Sequence, residues 1–142
     1  QKVEIRVVLH KQTYERLPDL ARFIVRNLKF VDHVALMGLE ITGFTRANLD
    51  ELWIDPLDYQ DQLEEAVNIL NSAGLRTSVY NLQLCLLPQS LWEFSVKSIS
   101  DWKNKYYPEC SGCSERYRCG GFFESSDLKR SPNIRALSFK NP

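Results

Sequence analysis

Long apolar runs are missing from this chain, and so is any excess of one charge. Nothing in its 142 residues approaches the roughly 20 consecutive apolar positions that a bilayer-spanning helix needs. The N-terminus also lacks the basic stretch followed by an apolar one that marks a secretory leader. A cytoplasmic protein with no membrane partner is expected. Eighteen Lys and Arg residues balance eighteen Asp and Glu residues, so no net field gathers a polyanion and nucleic acid is not an expected partner. Only two histidines occur, His10 and His33, and they lack the paired spacing of a histidine metal centre. No methionine starts the chain. It opens at Gln1 and enters a strand-like pattern almost at once, which reads as a piece cut from something longer. Cysteine is confined to four positions, and there the sequence becomes informative.

Three of the four stand together, Cys110-x2-Cys113-x5-Cys119, and Cys85 lies upstream. Two intervening residues let Cys110 and Cys113 curl onto one centre, with backbone N–H groups of the turn favouring thiolate over thiol. Gly112 eases that turn, and Gly120-Gly121 let the backbone pass close to whatever the sulfurs hold. A fourth ligand is then required, and Cys85 is the remaining thiol. Three readings fit. A disulfide pair is the weakest, because nothing else marks a secreted chain and 142 residues can bury a core without staples. Structural zinc and an iron–sulfur cluster both suit four thiolates, and spacing alone favours zinc.

The rest of the chain reads as α/β. Residues 2–9 alternate, with Val3, Ile5, Val7 and Leu9 on one face and Glu4, Arg6, Val8 and His10 on the other. Over residues 13–28 the period lengthens to that of a helix, with Leu17, Leu20, Ile24 and Leu28 as its stripe, Phe23 beside it and Pro18 in its first turn. Residues 31–40, which contain the nearly continuous apolar run Val34-Ala35-Leu36-Met37, predict a buried strand. Residues 41–54 connect it to a second helix, N-capped by Asp55 with Pro56 following, striped by Leu63, Ala66, Val67 and Leu70 and ended by Gly74. A third strand over 77–84 runs into Cys85. Strand, helix, strand, helix, strand implies right-handed crossovers and parallel pairing.

The style changes from Leu86 onward. A short helix is expected over 91–96, then an irregular aromatic segment including Asp101-Trp102-Lys103-Asn104, the cysteines, Phe122-Phe123, and a loosely held polar tail from about Ser125. Residues 1–85 therefore form one unit and 86–142 a small cysteine-rich, metal-binding appendage, whose folding a metal would complete. Two helices on one side leave the other sheet face without cover. Glu4, Arg6 and His10, together with Asn81 and Gln83 on the third strand, would point there. Such a face is either solvated or the inner wall of a barrel around a polar ligand.

Three stretches carry a resemblance: Glu4-Ile5-Arg6-Val7-Val8-Leu9-His10-Lys11-Gln12; Phe30-Val31-Asp32-His33-Val34-Ala35-Leu36-Met37-Gly38-Leu39-Glu40-Ile41-Thr42-Gly43; and Ile99-Ser100-Asp101-Trp102-Lys103-Asn104. With the cysteine set, they resemble the C-terminal half of radical S-adenosylmethionine enzymes that carry a SPASM or twitch auxiliary-cluster region. The nearest likeness is to the maturases of the His-Xaa-Ser peptide-modification system, and it covers nearly the whole chain.

The resemblance implies a partial β/α barrel, its fourth to sixth strands supplied here, and an auxiliary 4Fe-4S cluster on Cys85, Cys110, Cys113 and Cys119. Glu4, Arg6, His10, Asn81 and Gln83 would lie near an S-adenosylmethionine pocket. It further implies a missing N-terminal half of the barrel with a second 4Fe-4S cluster, and a peptide or protein substrate. Two departures bear on activity. Phe123 stands where a full SPASM motif continues with another cysteine, and no cysteines here form the Cys-x3-Cys-x2-Cys motif of the S-adenosylmethionine-cleaving cluster. The chain alone is therefore expected to be inactive. The rival expectation is a zinc-stabilised interaction module without catalysis.

Overall fold

The computed structural model describes residues 1–97 and 105–138, and within them the chain is α/β, built on a four-stranded parallel sheet. Strands β1 (Glu4–Leu9), β2 (His33–Gly38), β3 (Arg76–Tyr80) and β4 (Ser95–Val96) lie side by side in chain order. Helix α1 (Leu17–Asn27) crosses from β1 to β2. Between β2 and β3 run two single-turn helices, α2 (Phe44–Ala47) and α3 (Leu49–Leu52), and then α4 (Gln60–Ser72). Register pairs Ile5 with Val34 and Val34 with Thr77, so that Ile5, Val7, Val34, Leu36 and Val79 face a common core with α1 and α4.

The local signals explain these elements. Pro18 sits in the first turn of α1, and Gly74, at φ 78°, ends α4. Asp55 accepts a 3.0 Å hydrogen bond from the Leu57 N–H and so opens the 3₁₀ turn Pro56–Tyr59 that leads into α4. Leu63, Ala66, Val67 and Leu70 are all buried. The stripe of α1 differs from expectation: Leu17, Ala21 and Ile24 face inward, whereas Leu20 and Phe23 are exposed. The α-helix begins only at Leu17, after a 3₁₀ turn, and that phase brings small Ala21 into the same buried cluster as Ala66 of α4. Small residues at a crossing allow two helices to approach closely.

The third strand is shorter than residues 77–84. It ends at Tyr80 because Asn81 adopts φ 62°, a left-handed conformation that Asn tolerates better than most side chains. Asn81 and Gln83 therefore stand beyond β3, not on it. Gly38 matches this turn: a Cβ there would lie 2.5 Å from the Asn81 carbonyl oxygen. The expected helix over 91–96 is instead a 3₁₀ stretch, Gln89–Phe94, followed by β4, an unforeseen fourth strand. The connection over 41–54 contains α2 and α3.

On the sheet face away from the helices, Arg6 and Val8 are exposed, but Ala35 and Ser78 in the middle are buried, so that face is not open throughout. A hydrogen-bonded row crosses it. Arg6 Nε donates to Glu4 Oε1 (2.6 Å), Glu4 Oε2 pairs with His33 Nδ1 (2.6 Å), and His33 Nε2 pairs with Ser78 Oγ (2.9 Å).

The stretch from Leu84 packs against the end of the sheet. Leu84, Leu87 and Leu91 are buried in the main core, with Cys119 and Leu137 against it, while Leu86, Tyr107, Phe122 and Ile134 form a second, smaller cluster. The tail is not loose within the described residues. Ser131 Oγ donates to Asp55 Oδ2 (2.8 Å), and Ser114 donates through both N–H and Oγ to the Leu137 carbonyl (2.8 and 2.9 Å). Asp101-Trp102-Lys103-Asn104 and the preceding Ile99-Ser100 lie outside the described residues. No helix among the described residues is long and apolar enough to cross a membrane.

Candidate metal centre beside the strand ends

Short turns place each of the four cysteines on the lining of one cavity. Cys85 is the middle residue of the 3₁₀ turn Leu84–Leu86, which the chain enters directly after leaving β3, and Cys110 closes another, Pro108–Cys110. The Cys113 N–H donates to the Cys110 carbonyl (3.2 Å), and the Cys119 N–H to that of Glu115 (3.0 Å). Gly121, at φ 66°, then turns the chain so that Phe122 pairs with Lys105 in an isolated antiparallel bridge. A Cβ at Gly121 would meet the Lys105 carbonyl oxygen at 2.8 Å, so a residue without a side chain is required.

All four cysteines are half-buried, none is in a disulfide, and all four line one cavity with about 310 Å³ of atom-free space, part of it open to solvent. Among the described residues, no three His, Cys, Asp or Glu side chains form a group able to hold a single metal ion. The four cysteines therefore line a shared space without converging on one point.

Their surroundings carry opposing influences. Burial pushes the Cys85 thiol up, an N–H from the Arg135 backbone pulls the other way, and Cys119 and Cys110 nearby add to the rise. Burial also raises Cys119, against backbone N–H groups of Gly121 and Leu84. The Leu137 N–H donates to Cys113 Sγ at 3.4 Å, within the longer range of a sulfur acceptor. Backbone N–H groups directed at a sulfur are a common feature of thiolates held by a metal.

Charged and aromatic side chains hold the cysteine loop against the body. Arg118 stacks over Trp92 (5.0 Å) and pairs with Glu115, which is buried on the cavity wall. Arg116 stacks over Tyr106 (4.6 Å), whose hydroxyl donates to the Cys119 carbonyl (2.9 Å). Glu115, Arg135 and Leu137 escaped sequence reasoning. Glu115 looks like any surface carboxylate within a polar loop, and the other two act through backbone atoms that no side chain advertises.

A second cavity, about 540 Å³ of atom-free space, lies at the C-terminal ends of β1, β2 and β3. Parallel α/β sheets bind ligands at that end. Leu9, Ile41 and Asn81 line it from the strand ends, with Trp53 and Lys129 farther out. Lys129 sits over the Trp53 ring (5.0 Å). Gln83 and Phe122 line both cavities and so form a common wall. Gln83, almost fully buried, is fixed there by a 2.7 Å hydrogen bond from Nε2 to the Gly121 carbonyl.

The five polar residues singled out in the sequence accordingly divide. Asn81 and Gln83 reach the strand-end cavity; Glu4, Arg6 and His10 do not line it. Glu4 and Arg6 lie in the row across the sheet face, and Arg6 first, then His33, hold the Glu4 carboxyl below its ordinary range. His10 lies just past β1, its Nδ1 buried without a hydrogen-bond partner among the described residues. Compared with protein-family models, curated proteins and solved structures, the chain finds no match.

Proposed function

We infer that this chain is the C-terminal part of a radical S-adenosylmethionine enzyme, a cytoplasmic peptide maturase, and that its four cysteines carry an auxiliary 4Fe-4S cluster. The observation behind this reading is that all four cysteines line one cavity, which shares Gln83 and Phe122 as a wall with the strand-end cavity. A polynuclear centre spans several ångströms and suits such a lining. A single zinc ion, with sulfurs at about 2.3 Å, needs the lining contracted.

When bound, an auxiliary cluster takes up or passes on single electrons. The residues of this chain provide its setting. Cys85, Cys110, Cys113 and Cys119 would hold it, leaving no iron open to substrate. The Phe122 ring would keep water from the common wall, and Arg116 and Arg135, both on the cavity lining, would offset the negative charge of four thiolates. Asn81 and Gln83 would present polar groups to S-adenosylmethionine or to a peptide substrate in the strand-end cavity. Glu4, Arg6 and His10 remain candidates for the wall of a barrel that an N-terminal half, with its own 4Fe-4S cluster, would complete. Without a Cys-x3-Cys-x2-Cys motif, this chain would not cleave S-adenosylmethionine by itself.

Anaerobic reconstitution with iron and sulfide tests the reading. A brown protein, with iron and sulfide in equal amounts and a paramagnetic signal on reduction, is the expected result. A colourless protein that takes one zinc under competition with iron would favour the rival, a structural module without chemistry.

A further inference from the structure

The tail contributes to the cysteine cavity in a way that the ligand set does not account for. Residues 134–137 bring a backbone donor to a sulfur that lies more than twenty residues away along the chain: the Leu137 N–H donates to Cys113 Sγ at 3.4 Å. The segment is fixed at both ends. Ile134 is buried with Tyr107 and Phe122, and the Leu137 carbonyl accepts from both the N–H and the hydroxyl of Ser114, next to Cys113. Upstream, Ser131 and Asn133 donate to Asp55 Oδ2 (2.8 and 3.3 Å). Arg135 and Leu137 also form part of the cavity lining.

We propose that residues 134–137 are a main-chain clamp that tunes the electron affinity of whatever metal centre the four thiols hold, through the Leu137 N–H···S hydrogen bond to Cys113. For a cluster, this rests on the functional reading above. An N–H directed at a ligating sulfur withdraws electron density from it, which stabilises the more negative oxidation level and raises the reduction potential. The residues act through cysteine and are positioning residues; no reacting atom touches them.

Leu137→Pro removes the donor, and Leu137→Ala keeps it while removing the side chain. In anaerobically reconstituted protein, Leu137→Pro should bind iron in the wild-type amount with a more negative midpoint potential, and Leu137→Ala should match wild type. Should proline disturb folding, a semisynthetic chain joined at Cys119, with the Leu137 peptide nitrogen replaced by an ester oxygen, removes the same N–H and keeps the leucine side chain. Equal potentials in wild type, the ester chain and Leu137→Ala would overturn the clamp and leave the cluster reading intact. Cobalt(II) makes the two readings separable: loss of the N–H should move the sulfur-to-cobalt charge-transfer band to lower energy. That shift in a protein unable to assemble an iron–sulfur cluster would sink the functional reading while supporting the clamp. A chain that binds neither metal overturns both.

Discussion

The sheet with its helices and the cysteine-bearing stretch after Leu84 are built by different means. In the first, parallel strands and two helices close over side chains with no exposed surface at all, among them Val34, Leu63, Ala66, Val67 and Val79. Its backbone pairs within regular elements. In the second, among the described residues, 3₁₀ turns and one isolated bridge outweigh regular structure, of which β4 is the exception, and apart from Leu87 and Leu91, which join the main core, its own buried cluster is Leu86, Tyr107, Phe122 and Ile134. Specific polar contacts take over: Tyr106 to a loop carbonyl, Arg118 on Trp92, Ser114 to Leu137. A region of that kind gains little from burial and depends on interactions that single substitutions can remove. On the cluster reading, the thiols supply what its small core lacks.

The sharpest way to break this contrast is to remove a cysteine from the cavity lining. Cys113→Ala should abolish metal binding and hydrogen-exchange protection over residues 105–138 while the amides of α1 and α4 stay protected. Cys85→Ala should do the same despite its distance along the chain, and full metal stoichiometry in that variant would strike Cys85 from the ligand set. Next in size is a change in the other region. Leu63→Ala should cost about 3 kcal/mol in urea unfolding and destabilise both regions together, since Leu84, Cys119 and Leu137 join the core that contains Leu63. An unchanged transition for the cysteine region would show two independently folding units.

Gly121→Ala should cost about 1–3 kcal/mol through its left-handed backbone and the contact with Lys105. The loss should concentrate at the Lys105–Phe122 bridge, read by exchange of those two amides. The smallest effect belongs to the sheet face. Arg6 and His33 lower the Glu4 carboxyl in the folded state. Its contribution is therefore present above the ordinary glutamate value, about pH 4, and is lost as pH falls through the lowered folded value. Glu4→Gln should flatten the acid side of the stability profile. Equal losses in wild type and variant between pH 7 and pH 3, by urea midpoint, would show that the row across the sheet contributes nothing.

The same contrast explains what could be seen in advance. Asp55-Pro56, Gly74 and the stripe Leu63, Ala66, Val67 and Leu70 are local signals governed by helix geometry, and α4 follows them. The ends of strands are governed by what packs beside them. Nothing in the run after Thr77 shows that Asn81 will turn left-handed against Gly38, and Ser95–Val96 is too short to show any alternation. At the site, the spacing of Cys110, Cys113 and Cys119 is a local signal, and the three residues do line one cavity with Cys85. The Leu137 N–H that reaches Cys113 Sγ was not legible, because it is a backbone donor on a segment held by Ser131, Asn133 and Ile134. Gln83 was singled out for a strand wall, and its place between two cavities follows from the early end of β3.

Asp55 gives its two carboxylate oxygens different duties: Oδ1 receives the Leu57 N–H that opens the turn before α4, and Oδ2 receives Ser131 and Asn133 of the tail. That division ties the crossover between β2 and β3 to the far end of the polypeptide. Replacing this one carboxylate would release both the turn that leads into α4 and the hold on Ser131 and Asn133, so a single side chain couples two stretches separated by more than seventy residues.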